Sequence, residues 1–278
     1  MPIVTQTNVA SLETQKNLHR SQGALQKSFN RLSSGFRINN ASDDAAGLAI
    51  SESMRSQIRS YVVAERNAND AISMTQTAEA ALGEMHSILG RMRELAMQGS
   101  NGSMTSTDRG YLNTEFTALQ AEMTRIQASS KFNGKQLLSQ TASTIKFQVG
   151  LNNTAADQLS VTFGGLGLTT LLSTTTALSG AGTTSSLTAL GRIDSALGII
   201  STSRARYGAA MNRLEVVTSS IQTMRLNLSA ANSRIRDVDV AEETAVLARN
   251  QVLSQAGVAV LAQANQLPQL ALSLVGGG

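Results

Sequence analysis

The sequence has no cysteine, no tryptophan, two prolines, and only three tyrosines and six phenylalanines in 278 residues. Without cysteine there is no disulfide framework, no thiolate metal site and no cysteine nucleophile. So few large side chains cannot fill a spherical core, whereas thin seams of Ala, Leu, Ile, Met and Val suit rods. Two prolines leave room for long uninterrupted helices. Charged residues make up 15% of the chain, against about 25% in typical globular proteins. The net charge of +4 comes from basic residues interspersed with acidic ones. With no tryptophan and little else to stack on bases, no nucleic-acid partner is expected. The length allows one large or two modest domains.

Catalytic constellations are missing too. His19 and His86 fall on expected helices with no second ligand three or four residues away, so neither suggests a metal site. There is no Gly-x-Ser-x-Gly turn, and Gly164-Gly165-Leu166-Gly167 is not followed by the Lys-Ser/Thr of a phosphate cradle. The acidic residues are scattered. No catalytic, cofactor-binding or metal-binding residue is assigned, and no enzyme activity is expected. Met1-Pro2-Ile3-Val4-Thr5-Gln6 has neither a basic n-region nor a continuous apolar h-region, so it does not read as a Sec signal peptide.

What the sequence does have is heptad periodicity. Steps of seven from Ile193 give Ile200, Tyr207, Leu214, Ile221, Leu228 and Ile235. The positions three further on are Ala196, Ser203, Ala210, Val217, Met224, Ala231 and Val238. A seam of this kind is how two helices supercoil. At 1.5 Å per residue it would run to roughly 70 Å and needs an equally long partner. The N-terminal half supplies one in Tyr61, Ala64, Ala68, Ala71, Thr75, Ala78, Leu82, Met85, Leu89, Met92 and Ala96, at alternating steps of three and four. That seam starts small and ends large, so close backbone approach is expected along its alanines.

Around these two helices the chain is punctuated. Leu18, Leu25 and Leu32 lie seven apart, with Phe29 between, on an expected helix within residues 3–35. Gly35 to Asn40 breaks it, and Ser42, Asp43 and Asp44 suit the start of the next helix, where carboxylates meet free amides. Gly99 to Ser103 ends the long helix. Thr105 and Asp108 open a shorter one carrying Leu112, Phe116, Leu119, Met123 and Ile126. After a turn at Phe132-Asn133-Gly134-Lys135 the period changes to two: Ile145, Phe147 and Val149, then Leu159, Val161 and Phe163, predict a β-hairpin. Residues 164–188 read as a surface loop. Near the end, Asp239 and Glu242 restart a helix with Val246, Leu253, Val260, Leu267 and Leu274 spaced by sevens, and no charge follows Arg249. Interrupting glutamines and asparagines rule that tail out as a membrane span. As a lone soluble helix it also fails, and Pro268 adds a cost. It suits burial among copies of itself, and both ends of the chain are expected to be ordered by assembly.

The stretches Leu32-Ser33-Ser34-Gly35-Phe36-Arg37-Ile38-Asn39 and Ala41-Ser42-Asp43-Asp44-Ala45-Ala46-Gly47-Leu48-Ala49-Ile50 resemble the N-terminal signature of bacterial flagellins. So do Ala64-Glu65-Arg66-Asn67-Ala68-Asn69-Asp70 and Gln76-Thr77-Ala78-Glu79-Ala80-Ala81-Leu82. At the other end, Asn227 to Asp239 is similar to the family's C-terminal hinge, and Ala264-Asn265-Gln266-Leu267-Pro268-Gln269 to its terminal helix. The resemblance covers roughly residues 1–165 and 187–275. It implies a mainly α fold: a long antiparallel helical bundle or coiled coil with a small β-hairpin, whose N- and C-terminal helices pair in a core domain.

The divisions implied are 1–42 (core helix and hinge), 43–163 (two helices and the hairpin), 164–188 (a loop in place of outer domains), 189–236 (the long return helix) and 237–278 (hinge and core helix). The function implied is a structural subunit that self-assembles into the bacterial flagellar filament for swimming motility. The alternative is a hook–filament junction protein, similar to flagellin at both ends. An enzyme or adhesin within residues 140–190 would have too short a segment to occupy. Implied partners are further copies of the chain, an export chaperone on the C-terminal helix, and the filament cap and hook-junction proteins, with no membrane insertion. Export through the flagellar type III apparatus would place the chain outside the cell. The expected polymerisation seams are Leu18, Leu25, Leu32, Val246, Leu253, Val260, Leu267 and Leu274. Arg91 to Gln98 resembles the stretch that vertebrate Toll-like receptor 5 recognises in many flagellins, which implies contacts at Arg91, Leu95 and Glu115. Two departures stand out: the chain ends Val275-Gly276-Gly277-Gly278, and Arg236 occupies a hinge position that is frequently acidic in the family.

Overall fold

The structure is a computed structural model that describes residues 7–168, 177–178 and 183–275, with side chains as far as Gln266. The helices are α1 (Val9–Ser34), α2 (Ala45–Gly99), α3 (Ser106–Ser129), α4 (Thr184–Arg236) and α5 (Val240–Val275). The strands are β1 (Lys131–Phe132), β2 (Lys135–Gln136), β3 (Ser143–Gln148) and β4 (Gln158–Phe163). Two compact units result, one from residues 1–58 with 227–278 and the other from residues 59–226.

In the second unit, both long seams are largely interior, although Met224 of the return seam is half exposed. Ala68, Ala71, Ala78, Leu82, Met85, Leu89, Met92 and Ala96 of α2 are fully buried, as are Ile193, Ala196, Ile200 and Leu214 of α4. Three ion pairs set the antiparallel register: Arg93–Asp194 at 2.8 Å, Glu79–Arg204 at 2.7 Å and Glu65–Arg225 at 2.5 Å. This register brings Ala71 and Ala78 level with Leu214 and Tyr207. Large side chains of α4 therefore fill the space that the alanines of α2 leave. The small residues serve this large-on-small packing, where the sequence suggested close backbone approach.

α3 lays Phe116 and Met123 on the same core, and its start is the capping box expected from Thr105 and Asp108. The turn into it is held by Arg109. This buried guanidinium donates from Nε to the carbonyl of Gly99 at 3.0 Å, at the negative end of α2. β3 and β4 pair antiparallel from Ser143↔Phe163 to Gln148↔Gln158, with Leu159, Val161 and Phe163 turned inward. Phe163 meets Tyr207 ring to ring, 5.5 Å between centroids.

The turn at Asn133-Gly134 is a two-residue hairpin joining β1 and β2, with φ of 47° and 78° at its centre. Positive φ at both positions is why Asn-Gly stands there. Residues 164–188 are not simply the surface loop expected from their composition. Leu166, Leu168 and Leu178 are buried, α4 already begins at Thr184, and Leu178 N–H donates to Asn113 Oδ1 at 2.8 Å. The remainder of that segment, 169–176 and 179–182, lies outside the described residues.

Candidate functional site

In the first unit, α1 and α5 pack antiparallel. The stripe that α1 turns toward α5 is Ser11, Thr14, Leu18, Ser21, Leu25, Ser28 and Leu32, at steps of three and four. The facing stripe of α5 is Glu243, Leu247, Asn250, Ser254, Gly257, Leu261 and Ala264. Both are interior or half-buried and rich in small and polar residues. Polar pairs tie the two ends together: Arg31 to Glu243 at 3.4 Å, and Ser11 Oγ donating to Asn265 Oδ1 at 2.8 Å. In the middle, Gly257 lets the helices approach, since a Cβ there would lie 3.3 Å from Leu18 Cδ1.

Further apolar residues lie outside this seam. Val9, Leu12 and Phe29 of α1, and Val252, Leu253, Val258 and Val260 of α5, are each at least half exposed. The helix pair therefore packs leucines together with serines in its seam and still leaves these apolar side chains uncovered. Exposed apolar side chains recurring along both helices point to an interaction surface.

The residues expected as polymerisation seams therefore divide. Leu18, Leu25 and Leu32 are turned toward α5 within the same chain and are half-buried there, as is Val246. Leu253 and Val260, 50% and 51% exposed, face outward. The side chains of Leu267 and Leu274 lie outside the described residues.

The segments joining these helices to α2 and α4 are zipped together. Gly35, in the left-handed conformation that favours glycine, caps α1 (φ 74°) and accepts from Val238 N–H at 3.0 Å. Phe36 and Asp237 form an isolated antiparallel bridge, and Arg37 N–H donates to the carbonyl of Arg236 at 2.6 Å. Arg236 lies over the Phe36 ring, 4.5 Å from its centroid, and pairs with Glu52 at 2.6 Å. The two breaks in the chain are thus one joint. Asp44 starts α2 by accepting from Gly47 N–H at 2.9 Å, and Asp239 starts α5 by accepting from Ala241 N–H at 2.9 Å. Asp43 takes the N–H groups of Asn40 and Asn39, chiefly the former, and these hold its carboxyl below the usual range.

On α2 and α3, Arg91 bridges Glu115 at 2.8 Å and Glu94 at 2.9 Å, all three exposed. Hydrogen bonds from Glu115 and then Glu94 raise the guanidinium's pKa above its ordinary value. Leu95, expected beside them as a surface contact, is only 1% exposed and belongs to the core between the helices. It supports the patch from behind. Among the described residues, no three His, Asp or Glu side chains converge as a metal site, and no helix is long and apolar enough to cross a membrane.

Comparison with known families matches residues 5–143 to the bacterial flagellin N-terminal helical region and residues 190–275 to the bacterial flagellin C-terminal helical region. The chain is similar to the flagellin of Halalkalibacterium halodurans, 44% identical over 268 residues, covering 96% of this chain and 98% of that protein. It is also similar to the flagellin of Bacillus subtilis, 41% identical over 300 residues with the same coverage of 96% and 98%. A putative flagellar hook-associated protein from Vibrio parahaemolyticus shares the fold at a TM-score of 0.60, 13% identical, over 70% of this chain and 100% of that one.

Proposed function

The chain belongs to the bacterial flagellin family and is a structural subunit of the flagellar filament, and from that premise we propose that copies polymerise through the apolar residues that α1 and α5 leave exposed outside their shared seam. The observation that carries this reading is that Leu253 and Val260 stay half exposed outside the seam that α1 and α5 share. Covering such residues contributes about 1.5–3 kcal/mol for each large aliphatic fully buried. Head-to-tail contacts that do not close into a ring extend into an open helical polymer. The chain's part in swimming is then mechanical, with no catalysis of its own.

Residues 1–42 and 237–278 are proposed as the polymerising part, 43–163 and 189–236 as a second domain, and 164–188 as the position of any outer domain. Before assembly the same uncharged face of α5 needs cover, which suits an export chaperone. Delivery through the type III apparatus, with cap and hook-junction proteins as further partners, would place the filament outside the cell. The Arg91–Glu115 pair is the part of the expected Toll-like receptor 5 patch that a receptor could touch, with Leu95 buried behind it.

The test is Leu253→Ser combined with Val260→Ser. The critical concentration for filament growth should rise tenfold or more, with the thermal unfolding of residues 59–226 unchanged. Wild-type growth by the double variant would refute the outward stripe as the polymerising surface.

A further inference from the structure

A helix that runs through a proline lacks one donor, the N–H that would reach the carbonyl four residues earlier. α5 continues through Pro268 to Val275, so the carbonyl left without its helical donor is that of Ala264. Ala264 is buried, which keeps water from taking over that role. The replacement comes from the other end of the chain, where Asn8 Nδ2 donates to Ala264 O at 2.8 Å. The same side chain works in the opposite direction through Oδ1, which accepts from Ser11 N–H at 3.0 Å and so caps α1. Next to it, the buried Ser11 hydroxyl reaches Asn265. A slide of α1 along α5 by one residue, about 1.5 Å, would break this arrangement.

We propose that Asn8 is a positioning residue that supplies the donor Pro268 withholds, and that this exchange fixes the register of α1 on α5. The carbonyl of Ala264 then has this donor only when α1 is docked. The two chain ends order together, and a C-terminal helix that meets water without its partner is penalised at Ala264.

The test is epistasis between the two positions in the full-length protein. Asn8→Ser keeps a cap on α1 but is too short to reach Ala264. Asn8→Asp keeps the capping oxygen and lacks the amide donor. Pro268→Ala restores a backbone N–H to the Ala264 carbonyl. Each Asn8 variant should raise the critical concentration for filament growth roughly fivefold to tenfold when Pro268 is present, and less than twofold in the Pro268→Ala background. An equal cost in both backgrounds would reduce Asn8 to a helix cap and overturn the proposal. So would wild-type growth of Asn8→Asp. Failure of the wild-type chain to polymerise would instead strike at the assembly reading, a separate result.

Discussion

Arg236 lies over the ring of Phe36 while its guanidinium pairs with Glu52, so one side chain of α4 touches both the link that follows α1 and the first turns of α2. A cation over an aromatic face and an ion pair shielded on one side should together contribute about 1–2 kcal/mol. Arg236→Ala should lower the midpoint of filament dissociation on heating. Arg236→Lys should recover only part of the loss, because an ammonium cannot stack flat on the ring. Full recovery by lysine would show that charge alone matters at this joint.

Tyr207 fills the space above Ala78 and leans on Phe163, linking the two long helices to the hairpin. Tyr207→Ala should cost about 3–5 kcal/mol, the range for removing a large buried ring. Denaturant unfolding of the depolymerised subunit measures it, since the site lies within residues 59–226. A loss under 1 kcal/mol would mean that the hairpin closes over the gap.

Gly257 faces Leu18 across the inner seam. Gly257→Val should overpack that contact and weaken filaments by about 1–3 kcal/mol. Adding Leu18→Ala should restore part of the loss by making room. If the two changes simply add, the helices do not meet there.

Asp108 is the acidic half of the box that starts α3. The hydroxyl and then the N–H of Thr105 hold its pKa below the ordinary 3.8. A depressed carboxyl stabilises the folded form fully above its unfolded value, and that contribution is lost as pH falls through the folded value. The protection of amides in the first turn of α3, measured against their intrinsic exchange rates, should therefore be constant at neutral pH and fall, relative to the rest of the helix, only below about 3.8. Asp108→Asn should remove the step, and persistence of the step in that variant would assign it elsewhere.

Much of this was legible from periodicity. Leu82, Met85, Leu89 and Met92 repeat at the spacing of a buried helix face, and they are buried. The period of two likewise marked β3 and β4. The inner stripe of α5 was not legible, because Asn250, Ser254 and Gly257 read as an outer face by hydropathy. A strict seven-residue count also drifts about 20° per heptad around a straight helix. Val246 therefore starts near the seam, while Leu253 and Val260 end up outside it. Leu137, Leu138 and Leu178 sit in the core without any local pattern, since their burial depends on chain segments distant in sequence. The exchange between Asn8 and Pro268 joins residues 260 positions apart, and only the paired helices bring it into view.

The most direct measurement of the central claim is amide hydrogen exchange over residues 9–34 and 240–266, compared between depolymerised subunits and assembled filaments. If neighbouring copies cover the outward stripes, these two stretches should exchange quickly in the subunit and become protected by a hundredfold or more in the filament, while residues 59–99 and 184–226 change little. Equal protection of both ends in the two states would contradict the account.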